Sequence, residues 1–276
     1  MIKPQLPMTR RQSGVTLLEL LVVLMILSVI LTAAVKTWDV TLERGRAETT
    51  TRKLNQLVSV IAGDPNYVVA GHRADFGFIG DMGRLPYDLT ELVVGPVVTP
   101  PESSVWRGPY IRSTFSESPD GYRIDGWGDT IAYVRETLFV RSYGGRGQAE
   151  PNRWQTVYFP FSDSGDLTAN TLDGQIVDVR GRQIPAESLR FNIFVTLYRP
   201  GPSGKLVPDL KTGLQLNPDG SFTYSPVAQG TYRLFVKYLQ FTPSYDSAQT
   251  QLDVVVYPRI GAHVTARLNW DWDRSQ

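Results

Sequence analysis

Few residues in this sequence are suited to catalysis, and their types limit the reactions that it could carry out. The 276-residue chain has no cysteine and only two histidines, His72 and His263, which removes thiolate chemistry and most ways of building a zinc site. The spacings typical of metalloproteases, serine hydrolases and nucleotide-binding loops do not occur. Acidic residues are plentiful, so a pair of converging carboxylates is the remaining route to a hydrolase.

Composition and charge narrow the range of partners. The chain carries 28 Lys and Arg against 27 Asp and Glu, a net charge of +1, and this balance gives no electrostatic support for a nucleic-acid partner. Hydrophobic residues make up 42% of the chain, which is typical of a globular protein of one or two domains. We therefore expect no nucleic acid and no cofactor.

One carboxylate lies in an unusual place. Glu19 is the only ionisable residue in the apolar run 15–35, which as a helix is ~30 Å long and sufficient to span a membrane. Lys3, Arg10 and Arg11 precede the run without any acid, which predicts a cytoplasmic N-terminus and export of the remaining chain. A carboxylate within a bilayer costs on the order of a few kcal/mol and usually marks a function.

The sequence around Glu19 resembles a known processing signal. Residues 10–14 read RRQSG and residues 15–23 read VTLLELLVV, similar to the class III signal of type IV pilins and type II secretion pseudopilins. The resemblance implies that prepilin peptidase cuts between Gly14 and Val15 and methylates Val15, although Phe is the commoner residue there. It also implies that Glu19 pairs with the new α-amine of a neighbouring subunit, so that pairing is coupled to assembly.

Two other interpretations of the apolar run remain open. A cleaved secretory signal has a shorter apolar core, and its cleavage site here would be residues 32–34. A plain signal anchor explains the length and orientation of the run but leaves Glu19 without a partner.

The helix is expected to continue beyond the apolar run. Apolar residues recur at the helical spacing i, i+3, i+4 and i+7 at Leu54, Leu57, Val58 and Ile61. Residues 63–65 read GDP and stop the pattern. A helix over 15–62 would be ~70 Å long, and its apolar stripe predicts a globular head packed against its outer half.

Short elements and turns are expected in the middle segment, 63–150. A short helix is predicted over 88–94, and strand-like runs at 130–134 and 138–144 fit a hairpin across 135–137. The order of motifs, which read GRLP, RGPY, DGWG and SYG, resembles the head of the type II secretion major pseudopilin. We expect Trp106, Trp127 and Tyr133 to pack on the long helix.

The same resemblance raises the question of a metal. Pseudopilins often bind calcium in the loop after the SxG strand, but here residues 144–150 read GGRGQAE, with Arg146 where an aspartate is expected. Since a guanidinium repels calcium, we expect no metal, although Glu150 and Asp129 would be the acidic groups available.

From about residue 168 the hydrophobic period changes to two, which predicts a β-sandwich. The runs GQIVD at 174–178, NPDGSF at 217–222 and QGTYRL at 229–234 resemble a carboxypeptidase regulatory-like, transthyretin-like domain, a fold generally without catalysis of its own. The C-terminal residues 269–273, NWDWD, either form an exposed aromatic patch or, as the simpler expectation, pack back on the sandwich.

These observations predict an α+β protein in which a long N-terminal transmembrane pilin helix and a small α/β pseudopilin-like head are followed by an all-β sandwich. The expected segments are a leader at 1–14, the transmembrane and assembly helix at 15–62, the head at 63–150, a linker at 151–167 and the sandwich at 168–276. We expect the head and sandwich to fold independently across the polar stretch 162–166.

The expected function is that of a structural subunit of a type II secretion or type IV pilus-like filament, and not an enzyme. It would be anchored in the inner membrane by one span, with its domains in the periplasm, and would join a filament after processing. Its partners would be prepilin peptidase, other pilin subunits and the inner-membrane assembly platform. A low-copy minor pilin with an adhesive tip domain is the alternative within this class. A membrane-tethered hydrolase is the alternative outside it, for which a pocket with two converging carboxylates would be needed.

Overall fold

The computed structural model describes residues 16–99, 104–111, 119–241 and 245–275. It has a long N-terminal helix followed by a β-rich region of several sheets, as an α+β protein. The chain divides into two compact units, residues 1–48 and residues 49–276.

The N-terminal helix, α1, covers Leu17–Ala62, 46 residues. It ends where the sequence predicts, because Gly63 has a φ of +79° and a Cβ there would come within 2.6 Å of the backbone of Phe76. The predicted stripe is also confirmed: Leu54, Leu57 and Ile61 are buried in a hydrophobic core, and Val58 packs against it. Each buried aliphatic side chain of this kind stabilises the fold by roughly 1.5–3 kcal/mol.

The head region, residues 63–161, surrounds this end of α1. Its helices are α2 (Gly77–Met82) and 3₁₀ turns at Leu89–Leu92, Gly121–Arg123, Gly147–Ala149 and Pro151–Arg153. Its strands are β1 (Val68–Val69), β2 (His72–Arg73), β3 (Ala132–Val134), β4 (Phe139–Ser142) and β5 (Gln155–Tyr158). The predicted hairpin is confirmed as the antiparallel pair β3–β4. The predicted helix at 88–94 is a 3₁₀ turn, Leu89–Leu92, in which the Asp88 carboxylate accepts a hydrogen bond from the Thr90 N–H at 2.7 Å.

The segment expected to be a linker, 151–167, differs from that expectation. β5 pairs antiparallel with β4 and completes a three-stranded sheet, so this stretch belongs to the head. A short helix, α3 (Gly165–Thr168), follows, and its Leu167 is fully buried in the head core. The Ser and Asp residues at 162–166 are typical of an exposed linker, which is why the sequence predicted one. In the structure they form the turn before α3, and this turn places Leu167 in the head core.

A buried turn fixes the head to the helix. Asp125 accepts hydrogen bonds from the backbone N–H groups of Trp127 and Asp129, both 2.9 Å, and from the Ser142 hydroxyl at 2.5 Å. The next N–H, of Gly126, donates to the hydroxyl of Thr50 on α1 at 2.8 Å. The turn therefore ties the three-stranded sheet to the helix through hydrogen bonds that water cannot replace in a buried site.

The β-sandwich, residues 170–272, consists of two sheets. The strands are β6 (Asn170–Val177), β7 (Ile193–Pro200), β8 (Leu206–Thr212), β9 (Phe222–Val227), β10 (Gly230–Gln240), β11 (Asp246–Val256) and β12 (Ala262–Arg267). The 3₁₀ turns of this region are Glu187–Asn192, Gly213–Gln215 and Trp272–Ser275. The four-stranded sheet has the order β11-β10-β7-β8 and is antiparallel, and the three-stranded sheet has the order β12-β6-β9, with β12 parallel to β6.

The predicted alternation places the sandwich core. Val195 and Leu234 of the four-stranded sheet share one core with Ile176, Phe222 and Ala266 of the three-stranded sheet. Phe191 has the spacing of the core residues Ile193 and Val195, and its type predicts a further inward-facing residue, but it lies in the 3₁₀ turn before β7 and is 52% exposed.

The C-terminal tryptophans pack back on the sandwich, as the simpler expectation had it. Trp270 and Trp272 are 5% and 1% exposed, and their rings lie 5.1 and 5.3 Å from that of Tyr238. The chain end is further held by Arg182, which forms ion pairs with Asp271 at 2.6 Å and Asp273 at 2.8 Å.

Head and sandwich meet directly, which the sequence did not predict. Ala228, in the turn before β10, is buried in the head core, and the N–H of Gln229 donates to the carbonyl of Leu167 at 2.8 Å. Close approach is possible because Gly230, at φ +150°, has no side chain: a Cβ there would lie 2.9 Å from the carbonyl oxygen of Gly80 on α2.

Candidate functional site: the N-terminal apolar helix

The first turn of α1 carries the candidate site. Gly14 and Val15, the expected cleavage and methylation residues, lie outside the described residues. The N–H of Glu19 donates to the hydroxyl of Thr16 at 3.2 Å, and the N–H of Leu20 donates to the Thr16 carbonyl at 3.1 Å. Thr16 thus caps the helix, a role that sequence reasoning missed although Thr-x-x-Glu is a helix-start pattern.

The carboxylate of Glu19 is exposed and forms neither a hydrogen bond nor an ion pair with any residue in the described part of the chain. Its position in the first helical turn is electrostatically favourable, since the N-terminal end of a helix carries partial positive charge. The backbone of Glu19 is therefore used to start the helix, and its carboxylate contacts no polar group of the described residues.

The surface around Glu19 is apolar and unburied. The large hydrophobic side chains from Leu17 to Leu31 are 44–83% exposed. Among the described residues, α1 is the one helix that is long and apolar enough to span a membrane, with a mean hydropathy of 2.7 over its most apolar window. Such a surface is stable in lipid or against neighbouring subunits and not in water.

The polar side chains of the apolar segment are satisfied within the helix. The hydroxyls of Ser28 and Thr32 donate to the carbonyls of Met25 and Ser28 at 2.7 and 2.8 Å. Thr37 and Thr41 likewise donate to carbonyls four residues earlier, both at 2.9 Å. This arrangement suits a bilayer, where an unpaired hydroxyl has no water to bind. Glu19 is the exception in this segment.

The comparison with protein families decides the nature of this segment. A model described as the prokaryotic N-terminal methylation motif matches residues 9–35. These residues are a prepilin-type processing signal. The signal implies processing by a prepilin peptidase and assembly with other pilin subunits, and the long apolar helix fits a single-pass membrane anchor.

The comparisons add little for the rest of the chain. No curated protein matches it. The β region is similar to part of a solved structure, that of a DUF3823 family protein from Parabacteroides merdae, at 17% identity over 37% of this chain and 45% of that one. The TM-score of 0.23 is too low for this likeness to support a conclusion about fold or function. The chain spans less than half of that protein.

The loop considered for calcium, residues 144–150, belongs to the head region. The carboxylate of Glu150 forms an ion pair with Arg153 at 3.2 Å, and Arg146 precedes the 3₁₀ turn Gly147–Ala149. The ring of Trp127 covers this loop at Gly145, where a Cβ would come within 2.7 Å of it. Trp127 therefore covers the loop, whereas Trp106 and Tyr133 pack against the core that contains the long helix.

The two histidines are not brought together. His72 is exposed, with its Nδ1 3.4 Å from the Tyr257 hydroxyl, and His263 is exposed on β12. Within the described residues, no three His, Cys, Asp or Glu side chains form a group that could hold a metal ion.

Two carboxylates, Asp75 and Asp81, line one cleft of the head region. Both oxygens of Asp75 accept backbone hydrogen bonds, from Asp64 and Gly77, each at 2.9 Å. Asp81 accepts a hydrogen bond from the Tyr110 hydroxyl at 2.7 Å, and burial raises its pKa. A glycoside hydrolase needs two carboxyl groups free to act as acid and as base or nucleophile, and Asp75 is instead committed to holding the backbone.

Proposed function

We propose that this protein is a structural subunit of a type II secretion pseudopilus or a related type IV pilus-like filament, and not an enzyme. The single observation that carries the proposal is the prepilin-type signal at residues 9–35, followed by an apolar helix whose Glu19 carboxylate has no partner within the described chain.

The mechanism proposed is assembly through the helix. Prepilin peptidase cuts after Gly14 on the cytoplasmic side, and Val15 becomes the methylated first residue. The new α-amine of one subunit meets the Glu19 carboxylate of the next, because a carboxylate in an apolar surrounding gains most from a nearby cation. Pairing removes the cost of the buried charge only when a second subunit is present, which couples charge neutralisation to filament growth.

The orientation proposed is a cytoplasmic N-terminus with the head and sandwich in the periplasm. Lys3, Arg10 and Arg11 precede the apolar run without an acid, and basic residues stay on the cytoplasmic side of a span. We further assign the head to a pseudopilin-like fold and the sandwich to the carboxypeptidase regulatory-like class, on the motif order described above.

A low-copy, minor role is the second candidate. It is favoured by the position of the sandwich, which packs on the head through Ala228 and Gln229 and so accompanies every copy as fixed bulk. A domain of this size on every subunit crowds a thin filament, whereas it is accommodated easily at a tip.

Labelled filaments test these proposals. Since the chain has no cysteine, Leu214→Cys introduces a unique thiol at a side chain that is 80% exposed on the sandwich. We expect maleimide-gold to decorate filaments along their length for a major subunit and at one end for a minor subunit. Protein found only in the membrane, in cells that make filaments normally, would contradict the filament proposal; the unsubstituted chain, which has no thiol, is the labelling control.

A further inference from the structure

A cleft of about 580 Å³ lies between the head region and the β-sandwich. Its head wall includes Asp81, Ser104 and Tyr110, and its sandwich wall includes Tyr198 and Thr231. A cleft of this size between two packed regions, lined by rings and a few polar groups, is a typical place for a ligand. None of its lining residues belongs to the prepilin signal at residues 9–35.

The charged groups at the cleft have partners within the protein. The Asp81 carboxylate lies 3.6 Å from the guanidinium of Arg107, and Asp75 interacts with the charge of Arg73. Burial raises the pKa of Asp81, and the Tyr110 hydroxyl and Arg107 oppose this shift. The charged residues that line the cleft are Asp75, Asp81 and Arg107. Both carboxylates already accept hydrogen bonds and there is no surplus of cations, so the cleft suits an uncharged polar ligand.

The remaining polar groups are hydroxyls. Those of Tyr198 and Thr231 form no hydrogen bond in the described part of the chain, and both line the cleft. The Ser104 oxygen accepts from the N–H of Trp106 at 3.3 Å, which leaves its proton to donate. Hydroxyls both donate and accept, so these groups match a ligand that also presents hydroxyls.

A row of rings leads from the cleft across the outer face of the four-stranded sheet. Val195 and Leu197 point into the core, so Phe194 and Tyr198 of β7 lie on the opposite, outer face. Phe235 of β10 is paired with Thr196, which makes Phe194 and Tyr198 its two diagonal neighbours on that face. The rings of Phe194, Tyr198 and Phe235 are half-buried, and none of them belongs to the hydrophobic core of the sandwich.

Exposed amides flank this row. Gln251 of β11 is paired with Phe235, and Gln249 lies two residues earlier on the same face, paired with Lys237. Within the described part of this face, the ion pair is that between Arg233 and Asp253, which is exposed and long at 3.7 Å. The outer face thus combines rings and amides with three charged groups, Arg233, Asp253 and Lys237, and among the described residues Lys237 forms no ion pair.

We propose that the cleft and its row of rings bind a neutral carbohydrate chain. A sugar ring has an apolar face of C–H groups that packs on an aromatic side chain, and a rim of hydroxyls that pairs with amides, hydroxyls and a carboxylate. A nucleic acid or a lipid phosphate needs a surplus of cations, and a basic peptide needs an unpaired carboxylate. The cleft and the outer face together carry three carboxylates, of Asp75, Asp81 and Asp253, and three cations, of Arg107, Arg233 and Lys237. There is no surplus of cations, and each carboxylate already has a partner, so this surface meets the first requirement and neither of the others.

Binding is measured with the full chain in a zwitterionic detergent, because detergents with sugar headgroups would compete. The probes are maltohexaose, cellopentaose, chitohexaose and xylohexaose, with trilysine as the peptide probe, by saturation-transfer NMR and calorimetry. We expect saturable binding of at least one sugar. Tyr198→Ala, which removes a ring and a hydroxyl, should weaken it about tenfold or more.

Two further variants keep the result decisive. Thr231→Val keeps the side-chain shape and removes only the hydroxyl, and should weaken binding without changing the unfolding temperature. Tyr158→Ala removes an equally large ring that is 64% exposed in the head sheet, and should leave binding unchanged. The proposal would be overturned by binding of trilysine in place of sugars or by the absence of saturable binding of any sugar. It would also be overturned if Tyr198→Ala and Thr231→Val both bound sugar with the affinity of the parent protein.

Discussion

The side-chain amide of Gln229, in the β-sandwich, donates a 2.7 Å hydrogen bond to the carbonyl oxygen of Ala62, the last residue of the long helix. The same carbonyl accepts a 2.7 Å bond from the guanidinium of Arg73 in the head. The last carbonyls of a helix have no hydrogen-bond donor within the helix. The head and the sandwich each supply a donor to this carbonyl. Gln229 is fully buried, and helix, head and sandwich are joined at this point.

Gln229→Ala should lower the stability of the region around the helix end. Removing the amide leaves the Phe76 carbonyl, 3.3 Å away, without this donor and creates a cavity, at a cost of about 1–3 kcal/mol. Thermal unfolding of the full chain in detergent, followed by near-UV circular dichroism, measures the effect. Gln251→Ala, at an exposed position of β11, is the control and should change the midpoint little; equal midpoints for both variants would show that the Gln229 bond contributes nothing.

A fragment of residues 168–276 should not behave as an independent domain. Cutting before Thr168 removes Leu167, whose carbonyl binds the Gln229 N–H, and exposes Ala228, which is buried in the head core. We expect this fragment to unfold at a lower temperature than the β region of the full chain, or to aggregate, and limited proteolysis of the full chain to spare residues 165–168. Preferred cleavage at residues 165–168, with release of a stable β-rich fragment, would contradict this prediction and show that the sandwich folds independently of the head.

Gly14→Val should block processing. Because the prepilin signal places the cut after Gly14, the mature chain is expected to begin at Val15 with a methylated amine, and the variant should accumulate as the precursor. Mass spectrometry of the N-terminal peptide measures both outcomes, and Gln12→Ala in the same leader serves as a control that should still be cut. A mature chain beginning at Val35 would identify an ordinary secretory signal instead.

Glu19→Ala should separate insertion from assembly. The change makes the span more apolar, so the protein should still enter the membrane and be cut. Incorporation into filaments should fail, because the neighbour's amine loses its partner in a low-dielectric setting, a loss on the order of a few kcal/mol per subunit. Membrane fractionation, N-terminal mass and filament pull-down are measured in one strain.

The matched control for this experiment is Glu48→Ala, at an exposed glutamate of the same helix outside the apolar run. It should be inserted, cut and incorporated like the unsubstituted chain. Normal incorporation of cleaved Glu19→Ala protein would refute the pairing role of this carboxylate.

Asp81→Asn should stabilise the protein at neutral pH. Burial raises the folded-state pKa of Asp81 above its ordinary value of 3.8, so this carboxyl favours the folded state most when protonated and progressively less as the pH rises through the folded-state pKa. Asparagine keeps an oxygen for the Tyr110 hydroxyl without the charge. The unfolding midpoint of the variant should exceed that of the parent at pH 7, with the difference shrinking towards pH 4.

Asp253→Asn, at an exposed aspartate of β11, is the control and should show no comparable change with pH. An unfolding midpoint for Asp81→Asn below that of the parent at pH 7 would contradict this prediction. It would mean that the ion pair of Asp81 with Arg107 stabilises the fold by more than the desolvation of the carboxylate destabilises it.

The sequence by itself determined the elements whose signals are local or periodic. The uninterrupted apolar run, the leader and Glu19 identified the prepilin signal, because membrane insertion and processing depend on composition and spacing along one helix. The stripe at Leu54, Leu57 and Ile61 and the helix end before Gly63 followed from the helical period and from glycine chemistry. The alternation of period two likewise placed the core strands of the sandwich.

Only the tertiary structure decided how distant parts of the chain meet. Gln229 and Ala62 are 167 residues apart, and nothing in either segment announces their hydrogen bond. β5 lies in a segment that the sequence predicted to be a linker, and its strand conformation depends on pairing with β4. The cleft has the same origin, because Asp81 and Tyr198 acquire a common surface only when Gly80 and Gly230 allow the head and the sandwich to touch. Such contacts depend on the packing of whole surfaces, and that information is spread over many residues instead of being held in a motif.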